Sequence, residues 1–260
     1  MPPPTVAPVT LVTGSSRGIG AAIAARLATV GHRLVLTARD AGGLAAVAAI
    51  ARARGAADVL TLPTDLRSEN APAELVAAAV RQFGAVDNIV SNAGTAPSDK
   101  VENTTAAMLR ETFDLHVVAP LAFARAAAPA MKQRGGGCLV HLASTAGLRG
   151  YPFTSAYTAA KHGMVGLSRA LHAELQAAGI RVYAVCPGFV DTDITRSAAA
   201  AIAARGRSTA EQAFARMATQ NRIGRMHSPD EVAAAVVMLL TSRATGCVYD
   251  LDREPPAFID

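Results

Sequence analysis

The sequence predicts a single-domain α/β protein, a doubly wound parallel sheet of about seven strands with helices on both faces. Two observations predict it. Short β-branched or Leu-rich runs alternate with Ala-rich stretches of helical length, and no linker interrupts the alternation. Strands separated by helices of that size join through right-handed crossovers and pair in parallel, so both sheet faces need covering. The first run also opens straight onto a glycine-rich turn and a helix, a combination suited to an anionic ligand.

The elements are expected in the following order. A strand at Val9–Thr13 leads into a helix over Ile19–Val30. Strands at Arg33–Thr37 and Val59–Leu62 flank a helix over Leu44–Ala53, and Ala73–Phe83 precedes the strand Asn88–Ser91. One long helix over Ala106–Arg134 is followed by Cys138–Leu142, a second over Ser155–Ala178 by Arg181–Val185, and Cys247–Leu251 closes the sheet. Their apolar residues recur at helical spacing between the strands. Residues 1–8 are Pro-rich, with neither a basic nor an apolar signal segment, and read as a short flexible lead. Residues 9–260 form the domain; within it 193–226, helical in composition but diffuse in apolar pattern, reads as a substrate lid.

Composition narrows the function. With 51% hydrophobic and 17% charged residues among 260, the chain is no disordered segment. Its net charge of +5 comes from scattered Lys and Arg, which suits a small phosphorylated ligand and argues against nucleic acid. Apolar runs such as Val232–Leu240 fall short of the roughly 20 residues a bilayer span needs, so no membrane role is expected. Cys138, Cys186 and Cys247 are far apart, lie in or beside apolar runs and read as buried thiols in a reducing cytoplasm. The histidines share no helical spacing with carboxylates or thiols, so no metal is expected.

The segment Thr13-Gly14-Ser15-Ser16-Arg17-Gly18-Ile19-Gly20 follows the first strand and runs into a helix. Glycines at 14, 18 and 20 let the backbone turn sharply and approach a pyrophosphate lying on the free N–H groups of the helix N-terminus. Tyr157 and Lys161 stand four residues apart on a predicted helix and project from one face. A phenol with an unperturbed pKa near 10 is a poor acid–base group at neutral pH, and an adjacent ammonium together with a cationic cofactor ring would lower it towards the working range. Ser144 lies at the end of the preceding strand, in Ser-Thr-Ala-Gly.

The spacing G-x-x-x-G-x-G, together with Ser144, Tyr157 and Lys161, resembles the classical short-chain dehydrogenase/reductase family and its Rossmann-like fold, and the resemblance covers nearly the whole chain. It implies that Gly14, Ser16, Arg17, Gly18, Ile19 and Gly20 bind the dinucleotide. It implies too that Asp65 and Leu66 contact adenine, that Asn92-Ala93-Gly94 forms the turn below the cofactor, and that Pro187-Gly188 lies by the nicotinamide. Val190 falls where a backbone contact to the cofactor is usual, and Thr192 where the family bonds the carboxamide. In the implied reaction Ser144 holds the substrate oxygen, Tyr157 exchanges a proton with it, and Lys161 binds Tyr157 and the nicotinamide ribose. Ser228-Pro229-Asp230-Glu231 matches the start of the family's last helix. NAD-dependent members carry an acid at the end of strand two, where this chain has Ala38, followed by Arg39 and with Arg17 nearby. Two guanidiniums suit a 2′-phosphate, so NADP(H) is expected; the competing reading leaves both solvated, or pairs Arg39 with Asp40.

Two departures stand out. The family's Asn in the long helix is His116 here; its ring is either a member of the proton relay, titrating near neutral pH, or a space-filler. The chain ends through Asp250-Leu251-Asp252-Arg253-Glu254 without the DGG of 3-oxoacyl-carrier reductases, which leaves homodimer and homotetramer both open. Asp191 and Asp193 read as caps of the lid. Arg149, Tyr151 and Phe153 lie where the family lines its substrate pocket, Arg149 as either an anion reader or a solvated arginine. The expected function is an NADPH-dependent carbonyl reductase acting reversibly on a small-molecule ketone or alcohol. The alternatives are a 3-oxoacyl-thioester reductase and a catalytically weak NADP(H)-binding sensor or scaffold.

Overall fold

The computed structural model describes residues 7–204, 206 and 208–260; most of the expected lead, and the arginines at 205 and 207, lie outside them. Seven strands run parallel in one sheet: β1 (Val9–Thr13), β2 (Arg33–Ala38), β3 (Asp58–Pro63), β4 (Asn88–Ser91), β5 (Gly137–Leu142), β6 (Ile180–Cys186) and β7 (Val248–Asp250). An eighth, β8 (Ala257–Phe258), pairs antiparallel with β7, so the order is β3-β2-β1-β4-β5-β6-β7-β8. The expectation of about seven strands is corrected to eight. The added strand is short, and Phe258 packs on Tyr183 and Tyr249, which closes what would be an open sheet edge.

Helices cover both faces. On one side α1 (Gly18–Thr29), α2 (Ala41–Ala53) and α9 (Pro229–Thr241) enclose a core of Ile23, Leu27, Leu44, Val140, Val236 and Leu239. On the other, α3 (Ala71–Phe83), α5 (Ala119–Gln133) and α6 (Ser155–Leu175) bury Leu75, Phe123, Met131, Leu139, Leu171 and Val182. Caps fix where helices begin. Asp40 accepts from the Gly43 amide at 3.0 Å, and Ser228 with Glu231 forms a reciprocal capping box on α9. At the far end of α9 the Arg181 guanidinium donates to the carbonyls of Leu239, Leu240 and Ser242, supplying orphan acceptors with charged donors.

The expected single helix over Ala106–Arg134 is interrupted. An α-helix, α4 (Ala106–Phe113), passes through one wide π turn over Asp114–Val118 before α5 begins. Pro120 explains the widening. It has no N–H to donate to the carbonyl four residues back, which is that of His116, and such π turns recur at functional sites. Helices α7 (Asp193–Ala203) and α8 (Ala210–Ala218) pack on each other through Ala199, Ala213 and Met217, with Phe189 and Phe214 beside them. Among the described residues no helix is long and apolar enough to cross a membrane.

Candidate active site

The strand order reverses between β1 and β4, and the loops leaving the carboxyl ends of β1, β2, β4, β5 and β6 surround one cavity of about 540 Å³. That is where an open α/β sheet binds its ligand. The glycine loop is held from beneath by β4. Asn92 Nδ2 donates to the carbonyls of Thr13 (2.9 Å) and Gly14 (3.2 Å), while Thr13 Oγ1 accepts from the amides of Asn92 and Ala93, both at 2.9 Å. A Cβ on Gly14, whose φ is +63°, would lie 2.8 Å from Ala93 Cα, and one on Gly20 would lie 2.3 Å from the Gly14 carbonyl oxygen. No side chain caps the start of α1, so its first amides remain available to an anion.

Of the residues expected to bind the cofactor or carry the reaction, all but one line this cavity: Gly14, Ser16, Arg17, Gly18, Ile19, Arg39, Asp65, Leu66, Asn92, Ala93, Gly94, His116, Ser144, Tyr157, Lys161, Pro187, Gly188, Val190 and Thr192. The exception is Gly20, buried beneath the loop where it lets α1 approach Gly14. At the end of the cavity beside β2, Asp40 caps α2, and among the described residues Arg39 has no ion-pair partner. Arg17 faces Asp193 loosely at 3.8 Å. Asp65 is clamped by Arg67, whose guanidinium and backbone bonds hold its carboxyl down at about 2.

Ser144, Tyr157 and Lys161 converge at the other end. Lys161 is 5% exposed; its Nζ donates to the Leu142 carbonyl at 2.5 Å and lies 5.6 Å from the centroid of the Tyr157 ring. Burial lowers its pKa to about 7. In the protein alone, without the cationic cofactor ring on which the expectation of a lowered pKa also depends, the Tyr157 phenol is raised. Burial pushes it up to about 12, opposed by hydrogen bonding to the Ser144 hydroxyl. Ser144 Oγ itself accepts from the Ala146 amide at 3.1 Å, which fixes its rotamer.

His116 is 1% exposed, with Nε2 2.8 Å from the Thr95 carbonyl and 3.3 Å from the Thr95 amide; the shorter contact, to an acceptor, favours the tautomer in which Nε2 carries the proton. Its Nδ1 is then a bare acceptor, buried without a partner among the described residues. Burial, with the nearby Lys161 charge, lowers its pKa to about 3. The expectation of a ring titrating near neutral pH is therefore corrected.

Other expectations are also revised. Thr192, not Asp191 or Asp193, caps α7 through Oγ1; Asp191 instead pairs with Arg196 at 2.7 Å. Of Arg149, Tyr151 and Phe153, only Tyr151 lines the cavity. Phe153 is 56% exposed at φ +65°, and Arg149 sits behind Tyr151, donating to its hydroxyl at 2.9 Å. Thr95, Leu115, Thr145, Phe189 and Met217 line the cavity too and were missed. Adjacency to Gly94, His116, Ser144 and Gly188 could have found the first four; Met217, carried in by α8, left no signal. No group of three or more potential metal ligands occurs among the described residues.

A doubly wound sheet with a glycine loop at its switch point and a Ser–Tyr–Lys set opposite defines an oxidoreductase that takes a nicotinamide dinucleotide. The chain belongs to the short chain dehydrogenase family, whose model matches residues 8–203. It is 32% identical over 239 residues to levodione reductase of Leifsonia aquatica, covering 91% of this chain and 88% of that protein. A crystal structure of levodione reductase superposes with a TM-score of 0.88 at 30% identity, covering 94% and 96% of the two chains. Actinorhodin polyketide ketoreductase, solved with NADPH, gives 0.86 at 34% identity and 92% of each chain.

Proposed function

We propose that the protein is an NADPH-dependent carbonyl reductase interconverting a small-molecule ketone and its secondary alcohol. The observation carrying this reading is the convergence of Ser144, Tyr157 and Lys161 on the same cavity as the glycine loop and the Pro187-Gly188 turn. The residues present fit a dinucleotide. The cradle of Gly14, Ser16, Gly18 and Ile19, with Gly20 beneath, and the uncapped start of α1 would hold its pyrophosphate; Leu66 and Asp65 would flank adenine. Asn92, Ala93 and Gly94 form the floor, and Pro187, Gly188, Val190 and Thr192 would bound the nicotinamide. Arg39, free of an ion pair, and Arg17, only loosely paired, favour a 2′-phosphate; the related actinorhodin ketoreductase was solved with NADPH.

The bound cofactor supplies the hydride. Ser144 orients the substrate oxygen, and Tyr157 delivers a proton to it from Oη. Held protonated by burial, the phenol is a donor at neutral pH, which suits reduction. Lys161 donates to the Leu142 carbonyl and weakly to Met164 Sδ at 3.9 Å, and its ammonium would also serve Tyr157 and a ribose hydroxyl. His116, neutral, packs against Tyr157.

Helices α7 and α8 act as the substrate lid, since Ile194, Ala198 and Met217 reach the cavity from them. Exposed Leu109, Phe113, Val118 and Leu121 along α4, the π turn and α5 support a homodimer or homotetramer. Three buried free thiols, with pKa values pushed to about 12, suit a cytoplasmic setting. The test is oxidation of NADPH against a panel of diketones, aromatic ketones, aldehydes and 3-oxoacyl thioesters. Turnover on ketones is expected; NADPH binding with no turnover on the panel would instead favour a sensor or scaffold.

A further inference from the structure

Asp252 takes no part in the reaction above, yet it is 0% exposed. Three segments meet on its carboxylate. Both oxygens accept from the Arg222 amide at 3.1 Å, four residues beyond the end of α8. Oδ1 lies 3.1 Å from His227 Nε2, and the His227 backbone bonds the Phe189 carbonyl and the Asp191 amide beside the nicotinamide turn. Oδ2 faces the Arg149 guanidinium at 3.7 Å. A Cβ on Gly188 would come within 2.9 Å of Oδ1, so that turn rests directly on the carboxylate.

Arg149 carries the contact onward. Its Nε donates to the Tyr151 hydroxyl at 2.9 Å, its guanidinium stacks 5.2 Å from that ring's centroid, and its NH2 donates to the Gln220 carbonyl at 3.1 Å. The Tyr151 hydroxyl shares a 2.8 Å hydrogen bond with Thr145 Oγ1, and the ring meets Phe189 edge-on at 5.7 Å. Tyr151, Thr145 and Phe189 are cavity wall. The guanidinium, 42% exposed and outside the cavity lining, is thus committed to partners within the chain, which argues against Arg149 as a reader of anionic substrates. A carboxylate taken wholly out of water is costly unless well paired, and these pairings link the substrate wall to the foot of the lid.

We propose that Asp252 is a positioning residue: through Arg149 it fixes Tyr151 as a rigid cavity wall, and through the Arg222 amide it ties that wall to the lid, so that the two together discriminate ketones by bulk. The inference rests on the reductase reading for its substrate, but its first readout does not.

That readout is amide hydrogen exchange on the full-length protein, comparing wild type with Asp252→Asn, Arg149→Met and Tyr151→Phe. The carboxamide of Asp252→Asn can still accept from Arg222 but offers Arg149 no charge. Exchange in residues 145–154 and in residues 217–227 should rise together, roughly two- to fivefold for one half-exposed ion pair lost, while β1 and α1 stay unchanged. Arg149→Met, altering a half-exposed side chain, should loosen the same two segments even if Asp252→Asn fails to fold. Loosening confined to one segment, or spread over the whole sheet, overturns the proposal. In NADPH-driven turnover, Asp252→Asn and Tyr151→Phe should each raise KM for 9,10-phenanthrenequinone relative to 2,3-butanedione, without adding in the double variant and without changing KM for NADPH. Additive effects, or an equal loss on both ketones, also overturn it. A protein that turned over neither ketone would sink the reductase reading while leaving the exchange result decisive.

Discussion

The His116 imidazole stands edge-on to the Tyr157 phenol, ring centroids 5.7 Å apart and planes at 81°. Lys161 Nζ lies near the same phenol ring, and its charge is one reason the imidazole resists protonation. A second cation here would meet like charge in a dry site, so His116 serves Tyr157 as a neutral ring. Its protonation should therefore add no inflection to kcat/KM between about pH 5 and 8, where histidines ordinarily titrate. Profiles of wild type and His116→Asn should superimpose in shape; an acid limb present only in wild type would contradict this.

Gly94 and His116 are matched in volume. A Cβ at Gly94 would sit 2.3 Å from His116 Cε1, so Gly94→Ala should destabilise by about 1–3 kcal/mol as an overpacked site does. Replacing the ring by a methyl group makes room. Gly94→Ala should cost far less in a His116→Ala background, and a denaturant double-mutant cycle measures the coupling. Additivity would show that the loop moves aside on its own.

Removing the phenol hydroxyl should stop the chemistry and spare binding. Tyr157→Phe is expected to lower kcat by roughly 10²–10⁴-fold, the span of general acid–base catalysis, while NADPH fluorescence titrations stay close to wild type. Ser144→Ala should lose less, because it orients the oxygen without carrying the proton. Loss of NADPH affinity in Tyr157→Phe would mean that the ring is structural first.

Most of the sheet was legible because strands buried on both faces are near-continuous apolar runs, as in Val9–Thr13, which the structure reproduces residue for residue. The glycine loop was legible because only glycine can stand at Gly14 and Gly20. What escaped was set by distant contacts. Ala257–Phe258 is two residues long and becomes a strand only by pairing with β7. The π turn hides inside an unbroken helical pattern, although Pro120 marks it. Asp252 looks like any acid near a chain end; its burial depends on Arg149, His227 and the Arg222 amide, which the sequence holds far apart.

On the proposed NADP(H) reading, Arg39 would hold the 2′-phosphate. Asp40, the nearest acid in sequence, is occupied in capping α2, so the guanidinium is available to a phosphate. Arg39→Ala should weaken NADPH binding by roughly 10–100-fold, the worth of charge-assisted hydrogen bonds, and leave NADH nearly unaffected. The two dissociation constants, measured by cofactor fluorescence, check it. Equal losses for both would reassign Arg39 to the adenine.

Buried bases, Lys161, His116 and His141 foremost, make stability depend on pH in a defined direction. Lys161 titrates at about 7 in the fold against 10.5 for a free side chain, and His116 and His141 at about 3 and 4 against 6.5. All three folded values are depressed, so the unfolded chain binds the extra proton, and stability falls as pH falls through each window. Lys161 acts between pH 10.5 and about 7; the histidines act below 6.5. Each contributes a slope of up to about 1.4 kcal/mol per pH unit within its window. Lys161→Met orphans the Leu142 carbonyl, a cost that does not vary with pH. Its stability relative to wild type should therefore improve steadily as the pH is lowered from about 10 to 7, while His116→Asn should flatten only the acid limb. Urea midpoints from about pH 10 down to about pH 4 measure both, the Lys161 effect above 7 and the His116 effect below 6.5. A constant offset between Lys161→Met and wild type would show that the ammonium keeps its charge in the fold, with Leu142 and solvent sufficing to hold it there.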